Sequence, residues 1–524
     1  MSTTASAMRM TQALIRAVQT RPRQRATVCN GRTRTWAEVG ERVARLAAAL
    51  RQLGVQRGGR VAILALNSDR YIEALYAAAW AGLVVVPLNT RWSAEEIRFA
   101  LADCAAQAIL VDDDFVPLVG PMLPGSMVRS AIHLGEVATP SGFLDYETLV
   151  TEAQPMPDEG GADDDLFSIF YTGGTTGQPK GVMLTHRNVN LAGLVWISSL
   201  FVNAQTVYLH AAGMFHLAGA GPVFAVTQAG GTHVCLPRFE PEAIFETIQA
   251  QRVNYCLFVP TMINTLLNHP RRAEFDLTSV HDCHYGGSPI PDAVLLAAMQ
   301  TLPTWRFHQG YGMTETTALL SVLPWPYHLD TPERPARRLS VGLPVVGVEV
   351  RIVDPTGQEV PRGTVGEIVA RGGVITPGYW HQPEASAAAL QDGWLHTGDG
   401  AYMDDEGFLF IVDRLKDMII SGAENIYSGE VENAIYKLPG VLECAVFAVP
   451  DAQWGERVHA VVVPKEGETL TAEQVVAHCR TLIAGYKCPR SIVIQTERLP
   501  TSAAGKIQKA LLREPHWQGR QRAV

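Results

Sequence analysis

Cysteine is scarce in this chain. Eight cysteines lie among 524 residues, at Cys29, Cys104, Cys235, Cys256, Cys283, Cys444, Cys479 and Cys488, and no two form a C-x-x-C pair. That spacing supports neither a zinc ribbon nor a disulfide framework, and it fits a reducing, cytoplasmic setting. His281 and His284 flank Cys283, but no second ligand cluster at zinc spacing accompanies them, so a structural role outweighs a metal there. A basic excess is also missing: 43 Lys plus Arg stand against 52 Asp plus Glu, a net charge of −9. Such a chain does not work by coating nucleic-acid phosphate, although a local basic pocket for one nucleotide stays open. Long apolar runs are absent as well. The longest, residues 74–88, falls short of the ~18–20 residues a spanning helix requires, and Gly82 and Pro87 interrupt it. The first forty residues carry seven arginines without an apolar core, which argues against a secretory signal. They hold no acid before Glu38, so an organelle-transit composition stays open.

What is present is ordinary globular material, 47% hydrophobic and 18% charged, long enough for about two to five folding units. Short β-branched runs alternate with helical patterns. Strands are expected over 61–64, 83–86 and 108–111, with helices over 68–80 and 93–102, an order that implies βαβ units and a largely parallel sheet. Residues 154–165 read as an exposed loop before a strand at 166–171. Beyond residue 340 the texture changes to short strands with Gly and Pro turns, a small antiparallel region. After Asp413-Arg414 a compact β/α pattern begins, with helices over 428–437 and 471–484 and strands over 442–449, 457–463 and 491–494. The expected fold is therefore α/β: a large N-terminal domain, residues 1–413, of layered βαβ sheets plus a small antiparallel β region, and a small mobile C-terminal α+β domain, residues 414–524.

The strongest motif is Tyr171-Thr-Gly-Gly-Thr-Thr-Gly-Gln-Pro-Lys-Gly181. Directly after a strand, Thr172, Gly173, Gly174, Thr175 and Thr176 offer hydroxyls and converging backbone N–H groups to an oxyanion, and Lys180 supplies a point charge. It is not a Walker A loop, because Gln178 and Pro179 separate Gly177 from the lysine. Phosphate binding is implied; a P-loop kinase is not.

This loop resembles that of the adenylate-forming enzymes, which include acyl-CoA synthetases, firefly luciferase and peptide-synthetase adenylation domains. Among them bacterial fatty acyl-CoA ligases look nearest, some of which share the glycine at Gly173. Further segments in order resemble the family's: Met214-Phe-His216 at the acyl-pocket mouth, Tyr285-Gly-Gly-Ser-Pro-Ile290 beside adenine, and Gln309-Gly-Tyr-Gly-Met-Thr-Glu315 under the α-phosphate. His396-Thr-Gly-Asp399 resembles the ribose turn, Asp413-Arg-Leu-Lys-Asp417 the hinge, and Leu499-Pro-Thr-Ser-Ala-Ala-Gly-Lys506 the loop of the catalytic lysine. The resemblance implies ATP, Mg2+ and coenzyme A. Lys506, His216 and Lys180 are then expected in catalysis. Gly286, Gly287, Gln309, Gly310, Tyr311, Gly312, Thr314, Asp399 and Arg414 are expected at the nucleotide with the loop residues.

Each assignment has a physical reason. Glu315 is a hard oxygen ligand suited to magnesium, with the Thr176 hydroxyl beside it; its alternative is a carboxylate opening a helical run over 316–321. Asp399 can accept from ribose hydroxyls and Arg414 can donate to the same sugar. Gly286 and Gly287 suit close approach to a flat purine, on which Tyr311 would stack or else fill core. Lys506 would deliver a cation where a carboxylate attacks phosphate. The resemblance also places Lys416 at a hinge and Gly422 with Ala423 along the CoA passage, where Ala423 replaces a usual glycine.

Phe215, Ala218, Gly219 and Met313 are expected around the acid. No carboxylate falls within residues 214–222, so an α-amino acid is disfavoured because its ammonium would be desolvated unpaired. Gly219, Ala220 and Gly221 would either open a tunnel or let helices pack closely. His216 would orient the carboxylate, gate the pocket, or sit at the core edge. A medium- or long-chain fatty acid:CoA ligase is the expected activity, with an aryl or hydroxycinnamic acid–CoA ligase and a carrier-protein loader as alternatives. A regulatory protein without chemistry is disfavoured by intact Lys180, Glu315, Asp399, Arg414 and Lys506. The 18 residues beyond Lys506 include no fused carrier domain. Expected partners are a small carboxylic acid, ATP and CoA, without nucleic acid or an integral membrane segment; a homodimer stays open.

Overall fold

The computed structural model describes residues 7–172, 179–331, 337–414, 417–421, 424–502 and 505–517. Among these, strands assemble into four sheets. The expected βαβ run appears as strand Arg60–Leu64, helix Asp69–Trp80, strand Val84–Pro87, helix Ala94–Asp103 and strand Ala106–Val111. Helix Ala94–Asp103 begins where Ser93 and Glu96 exchange hydrogen bonds in a capping box, satisfying N–H groups the helix itself leaves open. Strands Leu166–Thr172 and Lys180–Thr185 extend this seven-stranded sheet at one edge.

A nine-stranded sheet faces it. Strands Val207–His210, Tyr255–Phe258, Asp282–Gly286 and Arg306–Tyr311 run parallel in register, and Ser321–Leu323 then returns antiparallel. Between the two large sheets lie helices His186–Leu200 and Leu217–Ala229, whose inward residues include Val189, Trp196, Ala220, Val223 and Phe224. The carboxyl ends of the parallel strands bring Val259, Gly286 and Tyr311 to one rim, the usual place for ligands in open α/β sheets.

The small antiparallel sheet comprises Val348–Val353, Gly366–Gly372, Trp394–Met403 with Leu390–Gln391, and Leu409–Arg414. Sheet membership changes after Arg414: Ile419–Ser421 and Glu424–Ile426 form a hairpin in a separate sheet with Val441–Asp451, Gly455–Pro464 and Ser491–Ile494. Helices Ser428–Tyr436 and Ala472–Arg480 cover it. The second stops four residues short of expectation, and a short 3-10 turn, Gly485–Lys487, follows. No helix among the described residues is long and apolar enough to cross a membrane.

Candidate active site

The phosphate loop's flanks are fixed by pairing. Thr172 lies opposite Lys180, and Tyr171 opposite Gly181, so the chain leaves and re-enters the sheet edge at one place. Gly173, Gly174, Thr175 and Thr176 lie outside the described residues, as do Lys416, Gly422 and Ala423. Thr172 Oγ1 donates to the Lys180 carbonyl at 3.4 Å. The Lys180 ammonium sits 5.2 Å over the Tyr379 ring, and the Tyr379 hydroxyl donates to Glu315 Oε1 at 2.9 Å. Tyr379 thus links the loop's cation to the carboxylate.

Glu315 is buried in the 3-10 turn Thr314–Thr316 rather than opening a helix over 316–321. Thr317 and Ala318 take positive φ, at 49° and 86°, and turn the chain into strand Ser321–Leu323. Gly312 permits that fold-back, since a Cβ there would strike the Ala318 carbonyl. Met313 accepts the same turn through its N–H, which donates to Thr316 Oγ1 at 3.0 Å.

The next wall is built on paired glycines. Gly286 stands opposite Gly310, so close that a Cβ on Gly286 would meet the Gly310 backbone. Gln309, one residue earlier, accepts from the Tyr285 hydroxyl at 3.2 Å. Gly287 has φ of 81° and faces Lys506, whose Cε lies 3.3 Å from where a Gly287 Cβ would stand. Tyr311, expected to stack or fill core, donates its hydroxyl to Asp399 Oδ2 at 2.7 Å. Burial and the Asp399 carboxylate push the Tyr311 hydroxyl well above its usual pKa, so it remains the donor. Arg414 pairs with Asp399 across the strands, with Nε 3.4 Å from Oδ1.

Lys506 comes from the other side. Its loop closes on itself, with Ser502 N donating to the Lys506 carbonyl at 2.7 Å and Thr501 bridging Ile507. Residues distant in sequence hold it: Thr261 Oγ1 donates to the Gly505 carbonyl at 2.8 Å and Arg91 Nη1 to the Ser502 carbonyl at 2.9 Å. Nearby, Asn264 Nδ2 donates to the Leu442 carbonyl at 3.0 Å. Burial, aided by Arg414, pulls the Lys506 ammonium down to about 8, while Asp399 and Glu315 oppose the shift.

His216 is the N-cap of helix Leu217–Ala229, its ring nitrogen accepting from Ala218 N at 3.3 Å. Burial, with the Lys506 charge, lowers its pKa to about 3, leaving a neutral imidazole. The two readings of the small residues divide. Gly219 serves close packing, because a Cβ would collide with the Ala212 and Gly213 backbone. Gly221 instead has room for a Cβ, which would make ordinary contacts with Trp196 and Ala318. Phe215 folds its ring over Gly213, and Ala218 packs with the cluster around Trp196. Cys283 and His284 are neighbours on one strand and so face opposite sides, which keeps them from a shared ion.

Tyr379, Arg91, Thr261 and Trp196 were not signalled in sequence. Tyr379 follows a Pro-Gly pair that reads only as a turn, and the others belong to segments without glycine or charge patterns.

A sequence model of the family described as "AMP-binding enzyme" matches residues 14–380, and one described as "AMP-binding enzyme C-terminal domain" matches residues 430–506. The chain belongs to this family. Within the AMP-binding enzymes its class is that of an AMP-forming acid–CoA ligase, using a carboxylic acid, ATP and CoA. It is 40% identical to a feruloyl-CoA synthase of Amycolatopsis sp over 500 residues, covering 95% of this chain and 97% of that one. It is 35% identical to a long-chain-fatty-acid–CoA ligase of Mycobacterium tuberculosis over 492 residues, covering 92% and 93%. Among solved structures, an anthranilate CoA ligase in complex with anthranoyl-AMP superposes with a TM-score of 0.90 at 27% identity, covering 97% of each chain.

Proposed function

We propose that this AMP-binding enzyme joins aryl carboxylic acids to CoA in two half-reactions. The observation that carries the first is the meeting of Lys506 with Gly287, Asp399 and Glu315, groups from both sides of the sheet changeover at Arg414. A carboxylate oxygen attacks the α-phosphorus of ATP and pyrophosphate leaves. The two anions repel, and the Lys506 ammonium stabilises the charge that develops between them. Lys180 holds the outer phosphates, Asp399 accepts from the ribose, and the Tyr311–Asp399 bond fixes that carboxylate. Glu315, a hard carboxylate to which Tyr379 donates at Oε1 alone among the described residues, fits a magnesium ion that would take its remaining ligands from water and phosphate. The ion would supply charge neutralisation. Neutral His216 orients the acid.

In the second half-reaction the CoA sulfur attacks the acyl carbon, AMP leaves and the thiol proton is released. We assign residues 414–524 to a body that turns about Lys416 between the steps, with Gly422 and Ala423 along the CoA passage.

Aryl acids are favoured over the expected fatty acids by packing. Below the rim the layer between sheet and helices is lined by the rings of Trp196, His284, Tyr208 and Tyr255, surfaces that suit a flat aryl group. The higher identity to the feruloyl-CoA synthase points the same way. The test is pyrophosphate release and thioester formation over alkanoic acids of graded length and a set of aryl acids, with and without CoA. Aryl acids should lead in kcat/KM; a maximum among alkanoates of eight or more carbons would reject the assignment.

The bonds from Arg91 and Thr261 to the Lys506 loop predict a split between half-reactions. Two hydrogen bonds of about 1 kcal/mol each suggest that Arg91→Ala with Thr261→Val slows pyrophosphate release about thirtyfold. Conversion of supplied acyl-AMP and CoA to thioester should hold its rate. Equal slowing of both steps would show that the bonds serve the fold alone.

A further inference from the structure

One face of the nine-stranded sheet is unusual in what it buries. Tyr208 lies opposite Tyr255, Leu257 opposite His284, and His284 opposite His308, so all five side chains point to one side. That side faces helices His186–Leu200 and Leu217–Ala229. Trp196 meets His284 at 4.8 Å between ring centroids, and Tyr208 stacks on Tyr255 at 5.5 Å.

His308 Nε2 bonds Asp282 Oδ1 at 2.7 Å while its Nδ1 accepts from Trp325 N at 3.3 Å. Trp196 Nε1, His284 Nδ1 and the Tyr255 hydroxyl differ. All three are buried without a partner among the described residues, on residues 1%, 3% and 2% exposed. A buried donor or acceptor left unmade bears its full desolvation cost, so such atoms in a native structure ask for an explanation.

Their position supplies one. His284 is two residues below Gly286 on its strand, roughly 7 Å from the rim where Lys506 and Gly287 meet. Trp196 Nε1 is 3.5 Å from where a Gly221 Cβ would stand, and Ala318 Cβ is 3.6 Å from the same point. The missing Cβ leaves a methyl's width beside that N–H, within the helix that His216 caps.

We propose that Trp196 and His284 read a hydroxyl on the far side of an aryl acid's ring. Trp196 Nε1–H donates to that hydroxyl, and His284 Nδ1, unprotonated when the ring proton is on Nε2, accepts from it. A hydroxyl is both acceptor and donor and satisfies the pair at once; a hydrogen or methyl satisfies neither. Burial keeps the His284 imidazole neutral, with a pKa of about 3, so one nitrogen is always an acceptor. This inference rests on the aryl-acid reading.

The experiment compares kcat/KM for 4-hydroxycinnamate and cinnamate in the full-length enzyme. Sites that bond a substrate hydroxyl discriminate strongly against analogues without it, so a preference of about 100-fold for the hydroxylated acid is expected. In Trp196→Phe and His284→Phe the ratio should fall below about tenfold, the loss falling on the hydroxylated acid. Gly221→Ala guards against misfolding of those variants, since its Cβ would make ordinary contacts and helix propensity favours alanine. Its added methyl should lower kcat/KM for 4-hydroxycinnamate at least tenfold relative to butyrate. A wild-type enzyme that uses both cinnamates equally well overturns the inference and leaves the aryl reading standing. Equal loss on both acids in the ring variants, or an inert Gly221→Ala, also overturns it. Turnover of alkanoates with neither cinnamate used would instead overturn the aryl reading.

Discussion

Lys506→Ala is expected to lower acyl-AMP formation at least ~100-fold, the usual scale for removing one group aimed at developing transition-state charge. ATP binding, measured by calorimetry, should persist, because Lys180, Asp399 and the Tyr311–Asp399 bond remain. Thioester formation from supplied acyl-AMP should also persist. The pH dependence supplies a second arm. Burial lowers the ammonium to about 8, so near pH 7 the cation predominates, and it is lost as pH rises through 8. Accordingly kcat/KM for adenylation should be level below that value and fall tenfold per pH unit above it. Lys506→Arg keeps its charge to far higher pH and should lack the alkaline limb, whatever its absolute rate. Undiminished adenylation in Lys506→Ala, or an identical limb in the arginine variant, would assign the charge to another group.

The parts of this site that could be read in sequence are those where chemistry demands special residues. Gly286 and Gly312 stand where backbone approaches too closely for a Cβ, Gly310 where the His284 ring does, and Gly287 where φ is positive, and those requirements appear as glycine. Asp399, Arg414, Glu315 and Lys506 are charges placed beside turns. By contrast, Arg91 and Thr261 act through bonds to backbone carbonyls more than 200 residues away, which leave no local pattern. Topology divided in the same way. The run from residue 60 to 111 was legible because each strand and helix shows its own period. The attachment of Arg25–Cys29 beside Thr232–Cys235 is non-local and was not. The stretch after Glu315 misleads because Thr317 and Ala318 adopt left-handed backbone, against their local preference, to turn toward Ser321–Leu323. Trp196 and His284 look like plain core in sequence; that their nitrogens lack partners is seen only in the fold.

Glu315→Gln should reduce adenylation by about 100-fold and raise the magnesium concentration needed for half-maximal rate, the larger effect being on metal dependence. The substitution keeps size and leaves an oxygen for the Tyr379 hydroxyl, so the turn Thr314–Thr316 and its bond from Thr376 N to the Glu315 carbonyl should persist. What it removes is charge, and a neutral amide is a poor ligand for a hard dication that gives up water reluctantly. Tyr379→Phe separates the positioning role from the ligand role. It deletes the 2.9 Å bond to Oε1 but keeps the ring under the Lys180 ammonium, so a loss of a few-fold, about that of one hydrogen bond, is expected with magnesium dependence little changed. Calorimetry with ATP in the presence and absence of Mg2+ gives a readout apart from turnover: in Glu315→Gln the metal should no longer tighten nucleotide binding as it does in the unaltered chain. If the glutamine variant keeps both its magnesium requirement and its metal-dependent affinity, Glu315 is a structural carboxylate of the turn and the ion is held by other groups.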